Sequence, residues 1–178
     1  MILVDLPTGS TLFRAHAPQW ASRPTSGAGA AIRGGRFNRE GVEALYLSFD
    51  ETTALREYQQ TSPFLPPCTI CSYTVALQRL VDLRQLHRGS PWDELWHDWR
   101  EDWCLLRFEH HIEPPTWVLA DMVLAHGHAG IIFPSLTHEG GMNLVVYTDR
   151  LTDGNSIAVN DPDHRLPHDL SSWGLPST

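Results

Sequence analysis

The sequence predicts an α+β fold, in which short strands and helices follow one another without the regular alternation of a parallel α/β sheet. Residues 71–77 carry apolar side chains at every second position, as a half-buried strand does. Residues 116–126 carry them at spacings of three and four, as a helix does. A hydrophobic content of 42% and a charged content of 19% are ordinary for a globular protein. We expect residues 1–178 to form one domain, with its core between residues 12 and 147.

Three strands are predicted in the first half of the chain. They cover residues 11–16, 45–49 and 68–77, and a further short extended segment covers residues 80–83. Residues 18–32 are rich in glycine, alanine and serine, which favours a loop of the kind that covers a pocket.

One helix is predicted between the second and third of these strands. Ser48 and Asp50 are alternative N-caps, and the helix runs to about residue 60. Ala54 and Tyr58 share its apolar face. Glu57 lies at the edge of that face, where a carboxylate can enter a cleft.

Helices and strands follow one another in the second half of the chain. A stripe of tryptophan and leucine predicts a helix from Ser90–Pro91 to Leu106, whose aromatic side chains form core or a partner-facing groove. Another helix covers residues 116–126 and ends at the C-terminal signal Gly127. The remaining elements are a buried strand at 130–134 that runs into Ser135, a strand at 144–147, an edge strand at 156–159, and from residue 160 a tail that is extended or packed by Trp173 alone.

The charge and the hydropathy pattern exclude several classes of protein. The net charge is −8 and all 13 basic residues are arginines, which argues against a direct nucleic-acid surface and suits a basic protein partner. No stretch approaches the roughly 20 apolar residues of a spanning helix. The first residues lack the positive start of a signal peptide. We therefore expect a cytoplasmic protein with no membrane contact.

The cysteines and histidines do not form a recognisable metal or disulfide pattern. Cys68 and Cys71 have CxxC spacing, but no second pair follows and the segment alternates like a strand. The ten histidines include His110–His111 and His126, without a convincing set of ligands around them. We expect no metal.

The segment from Gly34 to Glu57 carries the chemistry. Two adjacent glycines permit a close approach of the backbone to a ligand, and Arg36 offers a planar fork of donors suited to phosphate. Tyr46 offers a flat face for a ring, and Glu57 offers a negative charge. Together they suit a substrate with phosphates and a cationic ring, although each also has an ordinary structural interpretation as turn, strand or surface.

Two clusters in the sequence resemble the signature of the RES domain. The first comprises Gly34-Gly35-Arg36-Phe37-Asn38, Gly41, Leu45-Tyr46-Leu47-Ser48 and Ala54-Leu55-Arg56-Glu57. The second comprises Gly130-Ile131 with Pro134-Ser135, and Asn143 before an apolar strand. Phe37 stands where the family usually has tryptophan, and the resemblance covers roughly residues 12–147.

The RES family comprises the toxins of RES–Xre toxin–antitoxin pairs, so the resemblance implies a fold, a substrate and a partner. The fold is a compact split β-sheet core with flanking helices, like that of ADP-ribosyltransferases, with NAD+ as substrate in its cleft. The partner is a cognate antitoxin with an Xre-type helix-turn-helix, which we expect to block the cleft between the Gly34–Phe37 turn and Ser135.

The resemblance also implies a role for six residues. Glu57 stabilises the positive charge that develops on the ribose, Arg14 and Arg36 hold the pyrophosphate, and Tyr46 packs on the nicotinamide or its ribose. Ser135 forms hydrogen bonds rather than acting as a nucleophile, since no Gly-x-Ser-x-Gly elbow is present. Asn143 supports the Ser135 loop.

Three functions remain open from the sequence. One is a toxin that destroys NAD+ by passing ADP-ribose to water or phosphate. Another is a mono-ADP-ribosyltransferase that modifies a cellular protein. The third is a non-catalytic binding module that kept the shape of the pocket.

Overall fold

The computed structural model describes residues 1–60, 62–87 and 92–171, which form six strands, three α-helices and several short helical turns. The strands are β1 (Leu3–His16), β2 (Leu45–Ser48), β3 (Thr69–Asp82), β4 (Gly130–Pro134), β5 (Met142–Val146) and β6 (Ser156–Val159). The α-helices are α1 (Ala28–Arg33), α2 (Glu51–Gln59) and α3 (Pro115–Ala125). Turns of 3-10 helix cover Pro18–Trp20, Leu83–Gln85, Glu94–Arg100 and Thr148–Arg150, and a π-helical turn covers Leu105–Glu109.

All six strands belong to one mixed sheet, in the order β1-β2-β5-β4-β3-β6. The long strand β1 also pairs with β3. Strands β1, β2, β5, β4 and β3 therefore form a closed ring of paired strands. Only the short contact of β3 with β4 is parallel, and every other pair within the described residues is antiparallel. The predicted α+β class is therefore confirmed.

Alternation along the strands divides the apolar side chains between two cores. The strand core contains Leu12, Leu47 and Tyr73 and draws on β1 to β5. The helix-covered core lies on the opposite face of β2, β4 and β5 and contains Phe37 and Val145. It is covered by α3 and the Glu94–Arg100 turn, and Phe37 packs edge-on against Phe133 with the ring centroids 4.9 Å apart.

The predicted tryptophan helix is wrong, because two short turns replace it. A continuous α-helix would use the carbonyls of Trp99 and Glu101 to bind the backbone four residues later. Here Arg36 Nη1 donates to both carbonyls, at 3.0 and 2.8 Å, and the backbone N–H of Leu105 donates to Asp102 Oδ1 instead. Trp96 is buried with Trp99, which confirms the core interpretation for this pair, while the predicted start at Ser90–Pro91 lies outside the described residues.

Residues 18–32, predicted as a loop, contain the first 3-10 turn and most of α1. Side chains on β1 and β3 hold this segment in place. Arg14 Nη1 donates to the carbonyls of Pro24 and Ser26, and the Tyr73 hydroxyl donates to the carbonyl of Pro24. Gly27 precedes α1, and a Cβ there would lie 2.6 Å from the backbone nitrogen of Ala44. Packing partners far away in the sequence thus decide this segment.

Smaller differences concern the ends of elements. The segment at 80–83 is not separate, because β3 continues through Asp82 and pairs there with both β1 and β4. Of the two N-cap candidates of α2, Asp50 is the cap, and its Oδ1 accepts the N–H of Thr53 at 2.8 Å. In the tail, Leu166 packs against the strand core, whereas Trp173 lies outside the described residues.

Candidate active site

The Gly34–Asn38 turn is held by two buried aromatic side chains, Trp117 of α3 and Tyr147 just after β5. Trp117 Nε1 donates to the carbonyl of Gly35 at 2.8 Å, and the Tyr147 hydroxyl donates to that of Phe37 at 2.8 Å. The turn is therefore fixed on the sheet through its backbone.

Asn38 is the centre of this turn and is fully buried. Its Nδ2 donates to the carbonyls of Ala30, Arg39 and Val42, and its Oδ1 accepts the Tyr46 hydroxyl at 2.8 Å. One side chain thus joins α1, the turn and β2.

The glycines of the turn are required by these neighbours. Gly34 has a φ of +76°, which favours glycine, and a Cβ there would lie 2.8 Å from the Trp117 ring. A Cβ on Gly35 would lie 2.6 Å from the Tyr46 hydroxyl oxygen. The close approach expected at these glycines is made to the protein's own rings.

Arg36 projects from the turn and is half-buried. Its Nη1 group bridges the carbonyls of Trp99 and Glu101, whereas its Nε and Nη2 groups have no hydrogen-bond partner among the described residues. Burial lowers the pKa of Arg36, and the acidic groups of Tyr46, Glu57 and Asp102 partly offset this effect. Arg36 therefore retains donors for a ligand on Nε and Nη2.

Tyr46 lies on β2, facing the turn. Its hydroxyl accepts the N–H of Phe37 at 2.9 Å and donates to Asn38. Burial raises the pKa of Tyr46, so the phenol keeps its proton at neutral pH. The hydroxyl is committed to the turn, and only the ring is available to a ligand.

The carboxylate of Glu57, on α2, is held by two donors from outside the helix, Ser135 just after β4 and Asn143 on β5. Ser135 Oγ donates to Glu57 Oε1 at 2.7 Å, and Asn143 Nδ2 donates to the same oxygen at 2.5 Å. The second oxygen, Oε2, has no hydrogen-bond partner among the described residues. The structure thus brings together three of the six residues predicted from the sequence.

Ser48 belongs to this cluster, although its only predicted role was as a helix cap. Its Oγ donates to Asn143 Oδ1 at 2.8 Å, which leaves Nδ2 of Asn143 directed at Glu57. The alternation of Leu-Tyr-Leu-Ser places Ser48 on the same face of β2 as Tyr46, about 7 Å further along. That alternation is the sequence signal from which a place for Ser48 in the site could have been predicted.

Arg14 is not brought together with the Glu57 cluster. Its neighbour Phe13 pairs with Ser48, so Arg14 points to the opposite face of the sheet, opposite Cys71. Its hydrogen bonds go to the carbonyls of Pro24 and Ser26, and burial lowers its pKa. Its predicted contact with a pyrophosphate stays a prediction.

The described part of the chain has no group of three histidine, cysteine, aspartate or glutamate side chains that could hold a metal ion. The CxxC cysteines are free thiols, and Cys71 Sγ lies 3.5 Å from Nε2 of the buried His16. No helix within residues 1–60, 62–87 and 92–171 is long and apolar enough to cross a membrane.

The fold and the site define an α+β protein in which Ser135 and Asn143 hold one carboxylate oxygen of Glu57. The family model of the RES domain matches residues 11–169, and the chain therefore belongs to the RES domain family. A comparison with curated proteins gave no match.

One solved structure with the same fold is the crystal structure of the M. tuberculosis MbcT–MbcA toxin–antitoxin complex. The TM-score is 0.54 at 19% sequence identity, and the alignment covers 88% of this chain and 84% of that chain. At this identity the likeness establishes the fold.

Proposed function

We propose that this protein is the toxin of a toxin–antitoxin pair and cleaves the N-glycosidic bond between nicotinamide and ribose in NAD+. The observation that carries the proposal is the geometry of Glu57. One carboxylate oxygen is saturated by Ser135 and Asn143, and the other is free to act on a ligand. Membership of the RES domain family and the fold of the toxin–antitoxin complex support the same function.

The chemistry requires a negative charge at the position of Glu57. When the bond breaks, its electron pair leaves with the nicotinamide nitrogen, which becomes neutral, and positive charge develops on the ribose. A fixed carboxylate stabilises that charge and can also accept a ribose hydroxyl. Because Ser135 and Asn143 hold the carboxylate before substrate binds, little reorganisation is needed during the reaction.

Arg36 and Tyr46 would bind the substrate across from Glu57. The Nε and Nη2 groups of Arg36 suit a phosphate oxygen pair, and the ring of Tyr46 suits the nicotinamide or its ribose. Arg14 lies on the other face of β1, two residues before the strand ends. It would reach the pyrophosphate only if the substrate extended past that end of the strand.

The identity of the acceptor distinguishes the possible reactions. Water adds its oxygen to the ribose C1″ and releases a proton, giving ADP-ribose. Phosphate gives ADP-ribose 1″-phosphate, and a protein side chain gives a mono-ADP-ribosylated protein. We propose a small acceptor, water or phosphate, as the principal one.

The test uses purified protein freed of any partner and incubated with NAD+, with and without phosphate. We expect release of nicotinamide together with free ADP-ribose or its phosphate, separated by chromatography. A mass increase on one protein of a cell extract, with no free product, would favour the transferase. Absence of both binding and turnover would favour the binding module.

Replacing Arg36 is predicted to weaken substrate binding. In Arg36→Ala the phosphate donors are lost, so KM for NAD+ should rise by roughly 10-fold or more, the scale of a lost charged hydrogen bond. The exposed Arg33→Ala is the matched control and should leave KM unchanged. Because Arg36 also holds the carbonyls of Trp99 and Glu101, thermal unfolding should be measured on the same samples. An unchanged KM in a folded Arg36→Ala protein would remove Arg36 from the binding site.

The proposed partner is an antitoxin with a helix-turn-helix of the Xre type. The net charge of −8 suits a basic partner and leaves DNA contact to it. Expression of the protein alone should arrest growth, and co-expression of the neighbouring gene should restore it. Arrest that persists with the neighbouring gene would contradict this pairing.

A further inference from the structure

The loop after β4 is attached to α2 at two points. Glu57 Oε1 accepts the Ser135 hydroxyl at 2.7 Å, and Thr53 Oγ1 lies 2.8 Å from His138 Nδ1. Thr53 and Glu57 are four residues apart, so they lie one turn apart on the same face of the helix. The two contacts therefore hold one short loop against one helix face.

Thr53 is fully buried, and its hydroxyl is oriented by the cap of α2. The Oγ1 donates its only proton to Asp50 Oδ2 at 2.6 Å, while its backbone N–H donates to Oδ1 of the same carboxylate. Since the hydroxyl has no second proton, His138 Nδ1 must be the donor in their contact. Burial raises the pKa of Asp50, but the hydrogen bonds from Thr53 and the charge of the nearby His138 lower it by more. The net pKa of Asp50 is therefore lowered, and this carboxylate remains an acceptor.

His138 transmits this attachment to Ser135 within the loop. Its backbone N–H donates to Ser135 Oγ at 3.0 Å, and that oxygen in turn donates to Glu57. A continuous chain of hydrogen bonds thus runs from Asp50 through Thr53, His138 and Ser135 to Glu57.

The loop can approach α2 this closely because residue 141 is glycine. A Cβ there would lie 2.4 Å from Thr53 Oγ1 and 2.9 Å from His138 Nδ1. The base of the loop is closed by the hydrogen bond from Ser135 N to the carbonyl of Gly141, at 2.8 Å. Gly141 thus has a packing role in the loop.

We propose that Thr53 and His138 are positioning residues for Glu57, and that they act by fixing the Ser135 hydroxyl. This inference rests on the proposed function, in which Glu57 acts on the ribose. Neither residue would touch NAD+, so removing the contact should lower kcat through a misplaced Glu57 and leave KM nearly unchanged.

The test compares two pairs of variants in steady-state cleavage of NAD+. Thr53→Val removes the hydroxyl at constant size, and Thr53→Ser keeps it. His138→Ala removes the donor, and His138→Asn keeps a donor near the position of Nδ1. We expect Thr53→Val and His138→Ala to lower kcat by roughly 10-fold or more, the scale of a small misplacement in an active site, and the conservative variants to stay near wild type.

Combination with Glu57→Gln separates positioning from a general loss of structure. If Thr53 acts through Glu57, adding Thr53→Val to Glu57→Gln should cause no further fall in kcat. An equal fall in both backgrounds would overturn the inference. Should Thr53→Val fail to fold, the half-buried His138→Ala supplies the same comparison.

Two further outcomes distinguish failure of the positioning role from failure of the proposed function. Wild-type kcat in Thr53→Val and His138→Ala, with activity lost in Glu57→Gln, would overturn the positioning role and leave the proposed function standing. Wild-type kcat in Glu57→Gln would overturn the proposed function and this inference with it.

Discussion

Glu57→Gln should lower kcat for NAD+ cleavage by about 100-fold or more, the scale on which one lost electrostatic stabiliser slows an enzyme. The glutamine side chain keeps the size of glutamate and an oxygen that can accept from Ser135 and Asn143, but it has no negative charge for the developing cation. KM should change little, since the charge matters more in the transition state than in the ground state. Product formation and NAD+ binding are measured on the same protein by chromatography and calorimetry.

The matched control is Glu51→Gln, which removes an exposed carboxylate from the first turn of the same helix. Glutamine and glutamate have similar helix propensities, so both variants should fold. A Glu57→Gln protein that folds, binds NAD+ and turns over at the wild-type rate would exclude Glu57 from the mechanism.

Asn38→Ala should destabilise the protein by about 3 kcal/mol or more, because buried polar groups left without partners cost roughly 1–3 kcal/mol each. The substitution removes the donor to the carbonyls of Ala30, Arg39 and Val42 and the acceptor of the Tyr46 hydroxyl. Chemical denaturation followed by tryptophan fluorescence measures the free energy of unfolding.

Asn160→Ala provides the comparison, since this exposed asparagine also makes two side-chain hydrogen bonds, to Thr74 and Ser72. It should change the free energy of unfolding by about 0.5 kcal/mol or less. Equal losses in the two variants would show that the Gly34–Asn38 turn does not depend on Asn38. Loss of the turn conformation in Asn38→Ala should also displace Arg36, which the turn carries. The affinity for NAD+ should therefore fall together with the free energy of unfolding.

Elements with a clear local pattern were predicted well. The strand at 156–159 has the predicted bounds, and the inward face of β3 contains the predicted Cys71, Tyr73 and Val75. Helix α2 begins after a predicted cap, Asp50, and ends within one residue of the predicted position. In each case the deciding interactions are local, either alternation against one core or a cap three residues away.

The tryptophan segment was predicted wrongly because its pattern is compatible with more than one helical geometry. Spacings of three and four occur in an α-helix, but a spacing of three alone also suits a 3-10 turn. Arg36, more than 60 residues away, takes the carbonyls that an α-helix would need. The spacing of residues within a segment contains no information about a hydrogen-bond donor so far away in the sequence.

The sequence by itself determined the fold class, the family signature and the residue types of the site, because these depend on periodicity, turn chemistry and motifs. Only the tertiary structure decided which of those residues meet. It joined Glu57 to Ser135 and Asn143, added Ser48, Thr53 and His138, and placed Arg14 on the opposite face of β1. The physical reason is that strand register and loop closure bring together side chains as distant in sequence as Glu57 and Asn143, 86 positions apart, and each contact depends on partners that no local pattern specifies.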